Sequence, residues 1–206
     1  MLEVGIGSGR NALPLFEKIK PRFVGLDLSR EMLKLAGAKM APFTKDFDLI
    51  LGDAEHLPFA DKAFNAVVCM STMHYFSSQE KVLREFSRML SRKGILAYGD
   101  LTIHESDKQR FFETLERILS KAHAGFHKPA EIKQMLEANG FCISRMKTFA
   151  YRKSCKSLME DKGQYFNIKS EALQEFLHNA PIDAKEQYAL TDTELAQFYI
   201  VVTASQ

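Results

Sequence analysis

Short β-branched or apolar runs alternate with stretches whose apolar residues recur at helical spacing from the first residue to about Leu101, the pattern of βαβ units around a parallel sheet. Leu2–Val4 reads as a strand end, Gly9–Lys18 as a helix, Arg22–Asp27 as a strand, Ser29–Met40 as a helix capped by Ser29, and Phe47–Gly52 as a third strand. Phe64–Met70 is the most apolar strand. Between Ser77 and Leu90, Ser77 and Glu80 have capping-box spacing and Val82, Leu83, Phe86, Met89 and Leu90 form one helical stripe. Gly94 then reads as the stop and Gly94–Leu101 as the next strand.

Beyond Leu101 the pattern loosens. It predicts helices at Phe111–Lys121 and at Pro129–Asn139, the latter closed by Gly140, then a strand from Phe141 to about Phe149. Helical pieces at Ser154–Asp161 and Ser170–Asn179, a break at Pro181 and capping-box spacing between Thr191 and Glu194 lead to a last strand, Ala196–Thr203, expected to pair inside the sheet. No repeat, low-complexity tract or long linker divides the 206 residues, so the chain reads as one domain in which Arg152 to Asp192 is an insertion or cap.

Composition narrows the classes without choosing among them. Hydrophobic residues at 46% and charged ones at 26% are ordinary for a globular protein, and apolar runs such as Tyr199–Thr203 are too short to cross a bilayer. No signal-peptide succession opens the chain, so a cytoplasmic protein without a membrane span is expected. A net charge of +2 gives no electrostatic reason to infer a nucleic-acid partner. The local exception is Arg145, Lys147, Arg152, Lys153 and Lys156, interleaved with Phe149 and Tyr151, which reads as a solvated loop face or, alternatively, a phosphate contact. Cys69, Cys142 and Cys155 lack metal-site or disulfide-framework spacing and are expected to pack as small apolar side chains.

The chemistry concentrates at the strand ends. Glu3-Val4-Gly5-Ile6-Gly7-Ser8-Gly9 sits where a strand ends and a helix starts, so its glycines permit a tight turn and close approach of a ligand to the backbone. A dinucleotide fingerprint would place its third glycine at Arg10, which argues against a nicotinamide cofactor. Asp27 ends the second strand, where a carboxylate can accept two hydrogen bonds from ribose hydroxyls. Gly52-Asp53-Ala54-Glu55-His56-Leu57-Pro58-Phe59 follows the third strand, and the fourth runs into Met70-Ser71-Thr72-Met73-His74-Tyr75-Phe76. All four sets fall on the carboxyl edge of the sheet, where open α/β folds bind their ligands.

This ordered set, followed by Leu90-Ser91-Arg92-Lys93-Gly94-Ile95-Leu96, resembles the class I S-adenosylmethionine-dependent methyltransferases over Leu2 to Leu101, especially their ubiquinone/menaquinone-methyltransferase-like small-molecule branch. The resemblance implies an α/β fold of three layers, αβα and Rossmann-like, with a mostly parallel seven-stranded sheet. Its last strand is antiparallel beside the fifth, and Ala196–Thr203 is the candidate for it. The implied cofactor is S-adenosylmethionine and the product S-adenosylhomocysteine. Gly5, Gly7 and Gly9 would pass under the methionine part, Glu3 would hold its amino group and Asp27 the ribose. Asp53 and the Ala54 backbone would meet the adenine edge, Leu28 and Met32 would pack on the ring, and Met70 would line the site, although Met32 and Met70 also suit the core. The sulfonium would point towards His74 and Tyr75.

Methyl transfer from a sulfonium is an in-line displacement that needs alignment, desolvation and, for some acceptors, deprotonation. His74 suits a general base and Tyr75 a group that orients the acceptor, with a hydrogen-bonding or wall role as the alternative for His74; His56 and Glu55 read as loop residues. Residues 1–101 would then be the cofactor half and 102–206 the substrate-side half, roofing a small-molecule acceptor. Members of the family usually carry a longer first strand and helices ahead of the glycine loop, so the N-terminus reads as truncated. Three functions stay open: transfer to a small molecule, cofactor binding without transfer, and RNA or DNA methylation through the Arg145–Lys156 stretch. The last lacks the Asn/Asp-Pro-Pro-Tyr type sequence of amino-directed DNA enzymes at Met70-Ser71-Thr72-Met73.

Overall fold

The computed structural model describes residues 1–19, 22–120, 123–163, 170–191 and 193–206. Seven strands, β1 (Leu2–Val4), β2 (Phe23–Asp27), β3 (Phe47–Leu51), β4 (Phe64–Met70), β5 (Leu90–Thr102), β6 (Cys142–Ser154) and β7 (Glu194–Ser205), join one sheet in the order β3-β2-β1-β4-β5-β7-β6. Pairing from β3 across to β5 is parallel, and β7 enters antiparallel between β5 and β6, as the resemblance implies. All three β1 residues are buried, with Leu2 opposite both Val24 and Val67. A strand so placed has to be apolar, and Glu3 is the exception. From β1 the chain winds outward to β3 and then returns to β4 on the other side of β1, so the winding reverses at β1, and open α/β sheets bind ligands outside the carboxyl ends of the strands at such a point.

Helices α1 (Leu13–Ile19), α2 (Arg30–Met40) and α3 (Gln79–Met89) connect these strands. α1 starts later than the pattern predicts because Gly9 adopts φ +74°, a left-handed conformation outside the helical range. In α2 the Ser29 hydroxyl accepts from Met32 N at 3.2 Å, as expected, and Leu33, Ala36 and Met40 close a core with Ile6, Ala12 and Phe23. The stripe Val82, Leu83, Phe86 and Met89 is buried in α3, each side chain contributing roughly 1.5–3 kcal/mol. Its cap is Ser78, whose hydroxyl takes Lys81 N, and not Ser77. Gly94 does not stop the helix: Leu90 already turns extended and pairs with Phe64, so β5 begins there. A Cβ on Gly94 would stand 2.8 Å from Leu90 Cδ2 and 2.9 Å from Ser91 O, so this glycine serves a tight bend within β5.

The chain falls into two compact units, one of Met1–Asp100, Gln134–Met146 and Val201–Gln206, the other of Leu101–Lys133 and Lys147–Ile200. The second has its own core, in which Ile103, Phe111, Phe112, Leu115, Phe126 and Tyr188 are buried. Tyr188 donates its hydroxyl hydrogen to Asp107 Oδ2 at 2.8 Å, and the same carboxylate accepts from Phe111 N and Phe112 N at the start of α4 (Phe111–Leu119). Burial pushes the Tyr188 phenol well above its usual range.

Several elements differ from the pattern. β6 runs on to Ser154, so Arg145–Lys153 is exposed edge strand instead of loop; Arg152 pairs with Glu194 at 2.8 Å and Lys147 Nζ lies 4.8 Å from the centre of the Phe149 ring. Cys142 is exposed on that strand, contrary to the expected packing, whereas Cys69 is buried and Cys155 half-buried. α5 spans Pro129–Ala138, α6 Cys155–Gly163 and α7 Ser170–His178. α8 (Ile182–Gln187) follows Pro181, whose missing N–H costs nothing at a helix start. Thr191 and Glu194 cap no helix: Glu194 N donates to Thr191 Oγ1 at 3.0 Å and Thr191 N to Glu194 O at 2.8 Å, closing a turn into β7. Lys121, residues 164–169 and Asp192, which the pattern assigned to a helix and to the insertion, lie outside the described residues. Among those described, no helix is long and apolar enough to cross a membrane, and no three His, Cys, Asp or Glu side chains gather as a metal site.

Candidate functional site

Three hydrogen bonds lace together the four loops at the carboxyl edge. Gly7 N donates to Asp27 Oδ2 at 2.7 Å, joining the loops after β1 and β2. Gly52 N donates to Asp27 O at 3.0 Å, bringing in the loop after β3, and Thr72 Oγ1 donates to Gly5 O at 3.0 Å from the loop after β4. The glycine loop, Asp27, the Asp53 loop and the Met70–Tyr75 segment are thus tied into one rim.

Gly5, Gly7 and Gly9 have φ of +72°, +54° and +74°. They differ in what surrounds them. A Cβ on Gly5 would fall 2.0 Å from Thr72 Cγ2, whereas one on Gly7 would meet nothing within 4 Å, so the loop is packed beneath and open above. That is a cradle for a ligand lying on the backbone. Asp27 adds acceptors: its Oδ1 takes Ser29 N at 2.9 Å and its Oδ2 takes Gly7 N, which leaves each oxygen a lone pair for a hydroxyl.

Glu3 carries the strongest sign that a ligand belongs here. It is fully buried, and neither carboxylate oxygen has a hydrogen-bond partner among the described residues. Burial pushes its pKa up to about 8, against an ordinary value of 4.5. An orphaned buried carboxylate is costly, and a cationic amine would relieve it. The residues present therefore fit the methionine end of S-adenosylmethionine. Glu3 also stands close enough to Cys69 that, after burial and Asp100, it helps push that thiol up.

The remaining predicted residues occupy the rim in different ways. Leu28 is 76% exposed, and Leu51 at the end of β3 and Tyr75 in the segment after β4 are further large side chains left open to solvent. Met32 and Met70 are half-buried, and Ala54 is buried. Asp53 is exposed and turned to its own loop, its Oδ1 accepting from Glu55 N at 2.9 Å and its Oδ2 lying 3.6 Å from His56 Nδ1. His74 and Tyr75 sit in a single 3-10 turn, Met73–Tyr75, with ring centres 4.0 Å apart. His74 is buried; its Nδ1 lies 2.7 Å from Asp100 Oδ1 and its backbone N–H donates to Asp100 Oδ2 at 3.1 Å. A hydrogen on Nδ1 donated to Asp100 leaves Nε2, itself a buried atom, as the acceptor nitrogen of the ring.

Three contributors escape the sequence reading. Asp100, the partner of His74, stands near the carboxyl end of β5, two residues before Thr102, and that position was the available signal. Thr72, the floor under Gly5, gives none. Glu55 is an anchor and not merely a loop residue: Oε1 accepts from Ser78 N at 2.8 Å and Oε2 lies 3.4 Å from Lys81 Nζ. Surface depressions at the amino-terminal ends of β2 to β4, one beside Arg22, Lys45 and Asp46 and the other beside Met1, Ile50 and Phe64, bring none of these groups together.

Residues 2–98 match the family described as methyltransferase domain. Over 167 residues the chain is 30% identical to the demethylmenaquinone methyltransferase of Thermotoga maritima, covering 70% of each chain. It is 28% identical over 141 residues to the methyltransferase YcgJ of Bacillus subtilis, covering 68% of this chain but 55% of that one. The crystal structure of YcgJ superposes with a TM-score of 0.91 at 22% identity, over 100% of this chain and 90% of YcgJ, a likeness of fold.

Proposed function

Since the chain belongs to the class I S-adenosylmethionine-dependent methyltransferases, we propose that it methylates a small-molecule acceptor from a cofactor held on the β1–β4 rim. The observation that carries the site is Glu3, a buried carboxylate in β1 without a hydrogen-bond partner among the described residues, two positions before a glycine cradle open on its upper side. Glu3 would hold the cofactor's ammonium group, Gly5, Gly7 and Gly9 would bed its methionine part, and Asp27 would accept from the ribose hydroxyls. Asp53 and the Ala54 backbone would meet the adenine edge, Leu28 and Met32 would cover the ring, and Met70 would line the site. When bound, the cofactor supplies a methyl group on a sulfonium, an already activated leaving group. The chain's own task is then to align the acceptor, exclude water and take up a proton where the acceptor has one to lose.

His74 is assigned that proton, at Nε2, and Tyr75 the orientation of the acceptor. Asp100 supports the assignment by fixing the tautomer and steadying the imidazolium that results. The free cysteines support a cytoplasmic setting. In the basic stretch Arg152 of β6 and Lys156 of α6 each lie beside a glutamate, Glu194 and Glu160, which favours the small-molecule reading over nucleic acid.

The test is formation of S-adenosylhomocysteine from S-adenosylmethionine across a panel of phenols, carboxylates, amines and thiols. Acceptor-dependent product is expected; tight cofactor binding with no turnover on any of them, while larger substrates such as RNA are methylated or none is, would overturn the small-molecule reading. With an acceptor that loses a proton, His74→Ala is expected to lower kcat by about 100-fold or more. Asp100→Asn, which presents an amide donor to Nδ1, should lower it comparably without changing S-adenosylhomocysteine affinity. Unchanged kcat in both variants would leave His74 a wall residue.

A further inference from the structure

Resting on the assignment of Asp53 and Ala54 to the adenine edge, we propose that Glu85 and Arg88 of α3 are positioning residues for the cofactor, an ion pair that fixes the Gly52–Phe59 loop where those two residues meet the base. The pair is a fork against a carboxylate: Arg88 Nε to Glu85 Oε1 at 2.8 Å and Arg88 Nη2 to Glu85 Oε2 at 2.7 Å. It then grips the loop through backbone groups. Leu57 N donates to Glu85 Oε2 at 2.8 Å, and Arg88 Nη2 donates to Leu57 O at 3.1 Å, so both polar groups of Leu57 are held by one pair. Arg88 Nη1 donates in addition to Phe59 O at 2.7 Å and to Asp61 Oδ1 at 2.8 Å.

The mutual hydrogen bonds hold the Glu85 carboxyl below, and the Arg88 guanidinium above, their ordinary ranges, so each favours the charged form of the other. Glu55 secures the near half of the loop through Ser78, the cap of α3, and Gly52 N is tied to Asp27 O. Asp53 and Ala54 are thereby suspended between anchors on β2 and on α3. The segment has no strand or helix of its own to set its height. Only the planar fork can reach Leu57 O, Phe59 O and Asp61 together; a lysine ammonium keeps the charge but not the geometry.

The experiment is calorimetric titration of the 206-residue chain with S-adenosylhomocysteine and with its hypoxanthine analogue S-inosylhomocysteine, for wild type, Arg88→Lys, Arg88→Ala, Glu85→Gln and Asp27→Ala, each checked by thermal melting. Arg88→Lys and Arg88→Ala are expected to weaken S-adenosylhomocysteine binding by about tenfold and to draw the ratio of the two affinities towards one. Glu85→Gln, which keeps an acceptor for Leu57 N, should retain most of both. A purely structural role would lower both affinities equally with the ratio unchanged, and that result, or wild-type affinity in folded Arg88→Lys, overturns the proposal. Should Arg88→Ala fail to fold, Arg88→Lys decides. Asp27→Ala separates the two layers: if it binds like wild type, the cofactor site itself is misassigned, whereas if it binds weakly and the Arg88 variants do not, only the positioning role falls.

Discussion

Glutamine in place of Glu3 is expected to raise the heat stability of the ligand-free protein at alkaline pH while removing most of its affinity for S-adenosylmethionine. The native carboxyl keeps its proton until about pH 8, whereas the unfolded chain releases it near 4.5. Between those values the native state binds the extra proton, so stability falls as pH rises, by about 1.4 kcal/mol per pH unit, and levels off once Glu3 ionises in the folded protein as well. Glutamine does not titrate. The stability advantage of Glu3→Gln should therefore be near zero at pH 4.5 and grow to pH 8; a difference that stays flat with pH contradicts the burial argument. Binding runs the other way. An ammonium group needs Glu3 ionised, so wild-type affinity should rise about tenfold per unit as pH climbs towards 8, with about one proton released per cofactor bound. Glu3→Gln should lose that pH dependence and, at pH 8, on the order of 3 kcal/mol, about a hundredfold in affinity. Calorimetry in buffers of different ionisation enthalpy reads the proton directly.

Alanine at Gly5 and at Gly7 should damage the protein in opposite proportions. At Gly5 the new methyl would stand 2.0 Å from Thr72 Cγ2 and 2.7 Å from Thr72 Oγ1, in a left-handed backbone at φ +72°. Left-handed strain costs about 1–2 kcal/mol and overpacking about 1–3 more, so a loss of roughly 3 kcal/mol and a drop of roughly 6–12 °C in Tm are expected. Thr72→Gly should restore part of it, because the two substitutions share one clash. At Gly7 the methyl meets nothing within 4 Å, so only the strain of φ +54° remains, about 1 kcal/mol. Yet that methyl would occupy the open side of the cradle, so S-adenosylhomocysteine affinity should fall in Gly7→Ala while Tm moves little. Equal melting temperatures for the two variants, or full affinity in Gly7→Ala, would contradict the geometry described.

The parts of this site that were legible in the sequence are those set by local rules. A glycine run after an apolar strand, an acid at the end of the next strand and a third loop at the same edge each follow from spacing along one βαβ unit, and the order of the strands then brings them together. Glu3 was legible as a position but not as a charge state, because its raised pKa depends on β2 and β4 closing over it. Asp100 had only its place near the carboxyl end of β5 to mark it, and its contact with His74, like the grip of the Glu85–Arg88 fork on Leu57, spans 26 to 31 residues, which local spacing does not report. The misplaced boundaries have local causes that periodicity ignores. Gly9 turns left-handed and delays α1, Ser78 takes the cap from its neighbour Ser77, and Leu90 leaves α3 to pair with Phe64 well before Gly94. The apolar signal of β6 is weak because most of its residues are exposed on an edge, so its length could not be read from alternation.

The central claim, that the β1–β4 rim holds S-adenosylmethionine, is tested most directly by titrating purified protein with S-adenosylmethionine and S-adenosylhomocysteine by calorimetry, with Asp27→Ala alongside. Micromolar binding is expected for wild type, weakened about a hundredfold or more in Asp27→Ala, since that change removes a charged acceptor for the ribose and the partner of Gly7 N together. Folded wild-type protein that binds neither ligand, or Asp27→Ala that binds as wild type does, would contradict it.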